Sequence, residues 1–300
     1  RIYWHWPYII TGKNNAINFV AEVGCNHQGN MNTAFKMIDT LVDFCNVKFI
    51  KFQKRNPIEL LGEKRYNLPH PVPANSFGET YGLHREKLEF NISQHKKLQS
   101  YCKKRKIEYM CSAWDLTSLK QLISLKVQHI KIPSACNNNL ELLNYLFKKF
   151  KGYCHISLGM TTELEEKKIF ELAKKFNKTK KLILYACTSD YPVKHKDICL
   201  LEISRLRKKY EKKICAVGFS GHHQGISSDI AAGTLGVKWV ERHFTLDRTL
   251  KGTDHAASLE PDGVRRVKRD LDLLLDSLTY KRKKILNCEK KQREKLKFTN

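Results

Sequence analysis

Two lysines, Lys51 and Lys131, stand within or at the end of otherwise apolar stretches. An ammonium group removed from water there is expensive without a counter-charge. Ser112, Ser134, Ser157 and Ser220 fall at comparable points of neighbouring apolar stretches. Lysines ringed by hydroxyl donors suit a phosphate or a carboxylate. His222 and His243 close two further apolar runs. Imidazoles on adjacent strand ends can share one divalent cation and leave positions open for a substrate. Such a cation acts as a Lewis acid on a carbonyl. Each residue alone has a plainer reading. A strand-end lysine usually pairs with a carboxylate, and a lone histidine is about three times more often structural than functional. A lysine in this setting can also form a Schiff base, as in barrel aldolases. It is the coincidence of these groups that favours a site. His5, His70, His84, His95 and His129 read as structural or surface histidines.

For these side chains to meet, the elements carrying them must share one end of a sheet. Short runs rich in Val, Ile, Phe and Tyr predict strands at 17–23, 47–53, 107–112, 128–133, 153–158, 181–187, 214–219 and 237–243. Amphipathic helix-period stretches lie between them at 31–44, 94–104, 116–125, 138–150, 162–176, 198–210, 225–235 and 261–278. Thr161-Thr162-Glu163-Leu164-Glu165 and Glu260-Pro261-Asp262 read as helix starts with acid in the first turn. Eight alternating β and α units predict a (βα)8 barrel with right-handed crossovers. A doubly wound open sheet is the alternative, but Gly24-Cys25-Asn26-His27-Gln28-Gly29 lacks its glycine fingerprint. In a barrel the chemistry sits at the carboxyl ends of the strands, where all the groups above fall. Residues 1–16 read as a hairpin plugging the barrel, 17–279 as the catalytic barrel, and 280–300 as a basic linker or tail. Residues 55–89 form a long Pro- and Gly-containing excursion, of a length typical of functional loops and lids.

Of 300 residues, 41% are hydrophobic, enough for a full core, which excludes wholesale disorder. No apolar run is long enough for a membrane span, and no signal stretch opens the chain. The first residue is Arg, so the chain reads as a possible fragment. Ten scattered cysteines without a Cys-x-x-Cys pair point to reduced thiols in a cytoplasmic setting, with Cys111, Cys154, Cys187 and Cys215 as small core residues. The net charge of +25 is spread over nearly every helix, which favours solvated faces over a nucleic-acid partner.

The motifs resemble those of the sialic acid synthase family. They are Ala21-Glu22-Val23-Gly24-Cys25-Asn26-His27-Gln28-Gly29, Lys51-Phe52-Gln53, Lys131-Ile132-Pro133-Ser134-Ala135, Ser157-Leu158-Gly159-Met160 and Cys187-Thr188-Ser189-Asp190-Tyr191-Pro192. Gly218-Phe219-Ser220-Gly221-His222 follows, then Glu241-Arg242-His243-Phe244-Thr245-Leu246-Asp247-Arg248, continuing through Lys251-Gly252-Thr253-Asp254-His255 to Pro261. The resemblance runs over about residues 9–295, and a motif match of this kind is a hypothesis to be tested on geometry. It implies a barrel that condenses phosphoenolpyruvate with N-acetylmannosamine or its 6-phosphate, giving a nine-carbon 2-keto sugar acid and phosphate. Lys51, Ser112, Lys131, Ser134, Ser157, Ser189 and Ser220 would hold phosphoenolpyruvate. His222 and His243 would bind the metal, usually Mn2+, with Mg2+ or Co2+ as substitutes. Glu22, Gln53, Tyr191 and Asp254 would face the sugar, and Glu22, Lys51, Lys131 and His243 would be the catalytic groups. A homodimer is implied as well.

Three departures from the family pattern stand out. Cys136 occupies a position that is often acidic, Ser189 one where some members have Asn, and the chain ends at Asn300 where the linker to a C-terminal antifreeze-like domain would begin. The chain is then either truncated or a form lacking that cap. Glu241 and Arg242 read as buried ion-pair partners or as catalytic groups. The competing readings are the same chemistry on another acceptor, as in legionaminate or pseudaminate synthases, a non-catalytic basic protein binding nucleic acid, and a Schiff-base aldolase.

Overall fold

The computed structural model describes residues 16–282 and 284–298. The hairpin expected at 1–16 therefore lies, but for its last residue, outside the described residues. Eight strands, β1 (Asn18–Gly24), β2 (Phe49–Lys54), β3 (Glu108–Ala113), β4 (His129–Ile132), β5 (Tyr153–Ser157), β6 (Leu182–Cys187), β7 (Ala216–Gly221) and β8 (Trp239–His243), close in sequence order into one barrel. Every neighbouring pair is parallel, β8 with β1 included. The expected (βα)8 fold is therefore observed, and each expected strand has its counterpart.

Strand parity decides where each side chain goes, because successive residues face opposite sides of the sheet. In β2, Ile50 and Phe52 join the apolar layer between barrel and helices, whereas Phe49 packs inside the barrel with Val20, Met110, Ile183, Tyr185, Ala216 and Trp239. That inner apolar plug fills the lower barrel. Lys51 follows Phe49, Lys131 follows His129, and Glu241 follows Trp239, each two residues later on the inner face. The register seats Glu22 opposite both Lys51 and His243, Ser112 opposite Lys131, and Ser220 opposite Glu241.

The outer layer is made by α1 (Met31–Asp43), then α2 (Pro57–Tyr66) and α3 (Tyr81–Leu88) within the excursion, then α4 (Ile92–Lys104), α5 (Leu116–Ser124), α6 (Leu140–Lys149), α7 (Glu163–Lys175), α8 (Leu201–Tyr210), α9 (Ser227–Thr234) and α10 (Pro261–Ser277). Thr162 caps α7 in a capping box with Glu165, and Pro261 opens α10, as the expected helix starts require. No helix of the described residues is long and apolar enough to cross a membrane. The tail expected at 280–300 contains a short exposed helix, α11 (Asn287–Leu296), carrying no buried residue.

Arg242 has the opposite parity to Glu241 and His243, and it leaves the barrel interior. It is fully buried, donating to the Asp229 carboxylate on α9 and to the carbonyls of His223 and Gly225. It thus ties the β7–α9 connection, which begins with His222, to β8. Arg242→Ala leaves Asp229 as an uncompensated buried charge. Chemical denaturation should record a loss of about 3–5 kcal/mol, and a loss below 1 kcal/mol would contradict this account of the clamp.

The excursion differs from a structureless loop. Its ends hold each other: the Arg55 amide and guanidinium donate to Glu89 at 3.0 and 3.2 Å. Inside it, α3 lies so close to α2 that a Cβ on Gly82 would sit 2.2 Å from the Tyr66 ring. His70 and His84 accept backbone N–H bonds from Val72 and Phe77 and stack edge to face at 4.3 Å. Burial pushes His84 down to about 4, so it is a neutral structural imidazole.

All ten cysteines are free thiols. Cys111 and Cys154 are core residues as expected, but Cys215 is exposed just ahead of β7 and Cys187 lines the barrel mouth.

Candidate active site

A cavity of about 270 Å³ opens at the carboxyl end of the barrel. Glu22, Lys51, Lys131 and His243 line it, as do His222 and Asp254. So do Gln53, Ser112, Ser134 and Ser157, together with Ser189, Tyr191 and Ser220. Every site residue expected from the sequence therefore faces one cavity.

Its floor is a chain of alternating charges. Lys51 Nζ lies 2.5 Å from Glu22 Oε2, donates to Ser112 Oγ at 2.8 Å, and stands 3.6 Å from Glu241 Oε1. Lys131 Nζ donates to the same Glu241 oxygen at 2.6 Å and lies 4.3 Å from the centre of the Tyr185 ring. Ser220 Oγ donates to that oxygen at 3.3 Å. Burial pushes both ammonium groups down. For Lys51 the two glutamates outweigh burial and the net shift is upward; for Lys131 burial prevails and the net shift is downward. Burial would push Glu241 up, but Lys131 and Lys51 hold it down at about 2. Glu22 is pushed up, by burial first, with Lys51 opposing and Glu241 adding to the rise. Glu241 is thus a buried ion-pair partner of both lysines, one of its two expected readings, and it also lines the cavity. Parity with His243 could have identified it from the sequence.

The upper wall carries the imidazoles. His222 Nδ1 donates to the Thr188 carbonyl at 3.0 Å, which fixes the tautomer and leaves the Nε2 lone pair free. The ring centres of His222 and His243 are 5.5 Å apart, with the Tyr191 ring 4.3 Å from His222. Burial pushes His243 down to about 4. Burial also pushes His222 down, but the neighbouring Cys187 sulfur and the Thr188 carbonyl reverse this and raise it. Asp254 Oδ2 stands 3.7 Å from His243 Nδ1. The connection after β8 places it there: Asn26 Nδ2 donates to the Phe244 carbonyl and to Ser258 Oγ, both at 2.9 Å. Gly24, at φ +57°, clears the space, since a Cβ there would lie 3.0 Å from Asp254 Oδ2.

Buried polar atoms without a hydrogen-bond partner within the protein gather on the cavity-lining residues: Ser157 Oγ, Ser189 Oγ, Glu241 Oε2 and His243 Nδ1, with Glu22 Oε2, Arg55 Nε, Arg85 Nε and Trp114 Nε1 beside them. Buried polar groups are ordinarily paired, so such a cluster marks where a polar ligand completes the set. Gly159 keeps the hydroxyl wall in place. Its amide donates to Ser134 Oγ at 3.0 Å, and a Cβ would fall 2.2 Å from Ser189 Oγ and 2.7 Å from Ser134 Oγ. Gly159→Ala should therefore displace both hydroxyls and weaken anion binding about tenfold or more, measured by calorimetry with phosphoenolpyruvate. Unchanged affinity would remove these two hydroxyls from the anion wall.

Eight lining residues had no expected site role: Arg55 and Arg85 of the excursion, Trp114, Pro133, Ala135, Met160, Cys187 and Thr253. Arg55 continues the inner face of β2 two residues beyond Gln53, so parity carried a signal for it. Its guanidinium lies 4.2 Å from the Trp114 ring centre and donates to Gln53, which in turn donates to Glu22. Arg85 comes from α3, and no pattern near it points to the barrel mouth.

Fold and cavity together define a (βα)8 barrel whose mouth gathers two lysines, a set of serines and a pair of imidazoles. The chain belongs to the NeuB family, whose model matches residues 37–283. It is 36% identical over 285 residues to the N-acetylneuraminate-9-phosphate synthase of Mus musculus, covering 95% of this chain and 77% of that protein. It is 33% identical over 248 residues to the N,N'-diacetyllegionaminic acid synthase of Campylobacter jejuni, covering 82% and 72%. Among solved structures, the N-acetylneuraminic acid synthetase of Leptospira borgpetersenii, crystallised with citrate, superposes with a TM-score of 0.79 at 26% identity over 95% of each chain. These likenesses fit a sugar-acid synthase and not a nucleic-acid-binding protein.

Proposed function

We propose that this chain condenses phosphoenolpyruvate with N-acetylmannosamine or its 6-phosphate, releasing phosphate and a nine-carbon 2-keto sugar acid. The observation that carries this reading is the convergence of two buried lysines, a hydroxyl wall with unpaired Ser157 and Ser189, and two imidazoles on one cavity. Phosphoenolpyruvate offers two anionic groups, and Lys51 and Lys131 with the serines offer the matching charge and donors. The curated relatives named above are synthases of this type of product.

The imidazole pair suits a divalent cation. His243 Nδ1 is buried without a hydrogen-bond partner, 3.7 Å from Asp254 Oδ2, and His222 turns its Nδ1 to the Thr188 carbonyl, which leaves Nε2 on the other side of the ring. Among the described residues no group of three or more His, Cys, Asp or Glu side chains is arranged to hold a metal, so His222 and His243 would leave positions open to the substrate. A cation held there, Mn2+ in our reading, would polarise the acceptor's aldehyde.

The chain's own groups do the rest. Lys51, Lys131 and the serines orient phosphoenolpyruvate with C3 towards the aldehyde carbon, and this positioning replaces a bimolecular encounter. As the C3 bond forms, the aldehyde oxygen takes up a proton, which Glu22 would relay from the water that adds at C2. Water then adds at C2, and phosphate leaves with cleavage of its bond to C2. The phosphate departs against Lys131 and Ser220, which offset its charge. Gln53, Tyr191 and Asp254 stand on the acceptor side, next to His243 and His222. The ten free thiols support a cytoplasmic setting, and the family resemblance supports a homodimer.

The test is phosphate release from phosphoenolpyruvate with N-acetylmannosamine, its 6-phosphate and the diacetylated acceptors of legionaminate and pseudaminate synthesis, each with and without Mn2+. The reading expects release with a mannosamine acceptor and only with metal. Release without any acceptor, or with the diacetylated sugars alone, would overturn it.

A further inference from the structure

We infer that Arg85, with Lys251 close by, forms a second anion subsite at the rim of the mouth, which takes a phosphate at the far end of the acceptor. The inference rests on the proposed condensation and names the form of its acceptor, a phosphorylated amino sugar.

Depth along β2 separates the two anion sites. Lys51, Gln53 and Arg55 succeed one another on the inner face, so Arg55 stands about 13 Å of strand above Lys51. The floor lysines belong to phosphoenolpyruvate, and their charges are met by Glu22 and Glu241. At the rim, the Arg55 guanidinium is met by Glu89. Arg85 is different. It lines the same cavity, its Nη2 donates to the Tyr81 hydroxyl at 2.7 Å, and its Nε is buried without a partner. Asp254 feels its field, but among the described residues no carboxylate lies within ion-pair distance of Arg85 or Lys251. Both cations act on His70 and His84, and the Lys251 ammonium lies 5.0 Å from the Phe77 ring centre.

The platform under these cations is rigid. Tyr81 stacks on His84, Phe77 packs tilted against the same ring, and His70 and His84 are tied to backbone N–H groups. Gly78 packs with no room for a side chain, since its Cβ would sit 2.6 Å from the His84 amide. A guanidinium held in place with an unused N–H beside a second cation is suited to a phosphate dianion. Arg85 acts on Asp254, which stands beside His243 on the acceptor side. An acceptor whose aldehyde sits by the imidazoles would direct its other end towards α3. The excursion is therefore a specificity element that reads a phosphate.

The test compares wild type, Arg85→Gln, Arg85→Lys and Lys251→Gln by calorimetry and by steady-state kinetics. The ligands are N-acetylmannosamine, its 6-phosphate, and inorganic phosphate in the presence of saturating phosphoenolpyruvate. Arg85→Gln should weaken binding of the 6-phosphate about 30-fold or more, from loss of a charge-assisted pair, and Lys251→Gln less. Binding of the unphosphorylated sugar and of phosphoenolpyruvate should stay within about threefold, which also reports that the variants are folded. Arg85→Lys should keep part of the phosphate affinity. An equal loss for both sugars, or none for either, overturns the subsite, as does a wild type that binds the unphosphorylated sugar more tightly. Phosphate-dependent binding that needs Arg85 without any turnover would uphold the subsite and sink the condensation instead.

Discussion

Lys131→Ala should lower kcat/KM for phosphoenolpyruvate about 10³-fold, equivalent to about 4 kcal/mol of transition-state stabilisation. The substitution removes the ammonium that holds Glu241 at 2.6 Å and leaves that carboxylate facing the incoming anion. Repulsion adds to the lost attraction, so affinity and turnover should fall together. Lys131→Ala combined with Glu241→Gln removes the repulsive part and should recover roughly tenfold of the lost affinity. Burial lowers the Lys131 ammonium. Its charge is present below that lowered value and is lost as pH rises through it. Phosphoenolpyruvate affinity should therefore decline at a lower pH than an ordinary lysine would allow. Retained activity in Lys131→Ala would remove this residue from the site.

The second large effect concerns the imidazole pair. Chelation of the wild type, and His243→Ala at saturating Mn2+, should each cost about 10³-fold or more in turnover, the several kcal/mol that a Lewis acid supplies. Added Mn2+ should restore the chelated wild type but not His243→Ala. Phosphoenolpyruvate binding should survive in both, because all of its lysines and serines lie off β8 and only Ser220 shares a strand end with the pair. A chelated enzyme at full speed, or a variant that loses phosphoenolpyruvate as well, would separate the histidines from the role assigned here.

Much of this site was legible because a parallel barrel turns two simple patterns into position. Period-two alternation sends Lys51, Lys131 and His243 inward, and chain order places their strands around one ring. The same parity separates Glu241 from Arg242: the first faces the floor lysines and the second clamps α9 to β8. Their adjacency in the sequence conceals opposite roles until register is considered. The excursion resisted reading for physical reasons. α2 is broken at Gly62, which has φ +65° and ψ 162°, and it buries no side chain, so no helical stripe marks it. α3 buries Gly82, His84 and Leu88, a set without an apolar period. Arg85 reaches the mouth only through tertiary packing of α3, which local pattern does not encode. Cys187 resembled any strand cysteine, and its place at the mouth follows from its end position on β6 and its pairing with Ser220. α11 has a polar sequence and no partner to bury, so its composition suggested a tail.

The central claim is that one mouth joins phosphoenolpyruvate to an amino-sugar aldehyde and expels phosphate by breaking the bond to C2. Phosphoenolpyruvate carrying 18O in the bridge between C2 and phosphorus tests it directly when the released phosphate and the keto acid are weighed by mass spectrometry. The account predicts label in the phosphate, none in the product's C2 carbonyl, and release only when the acceptor and Mn2+ are both present. Label retained in the organic product, or phosphate freed at equal rate without acceptor, would contradict it.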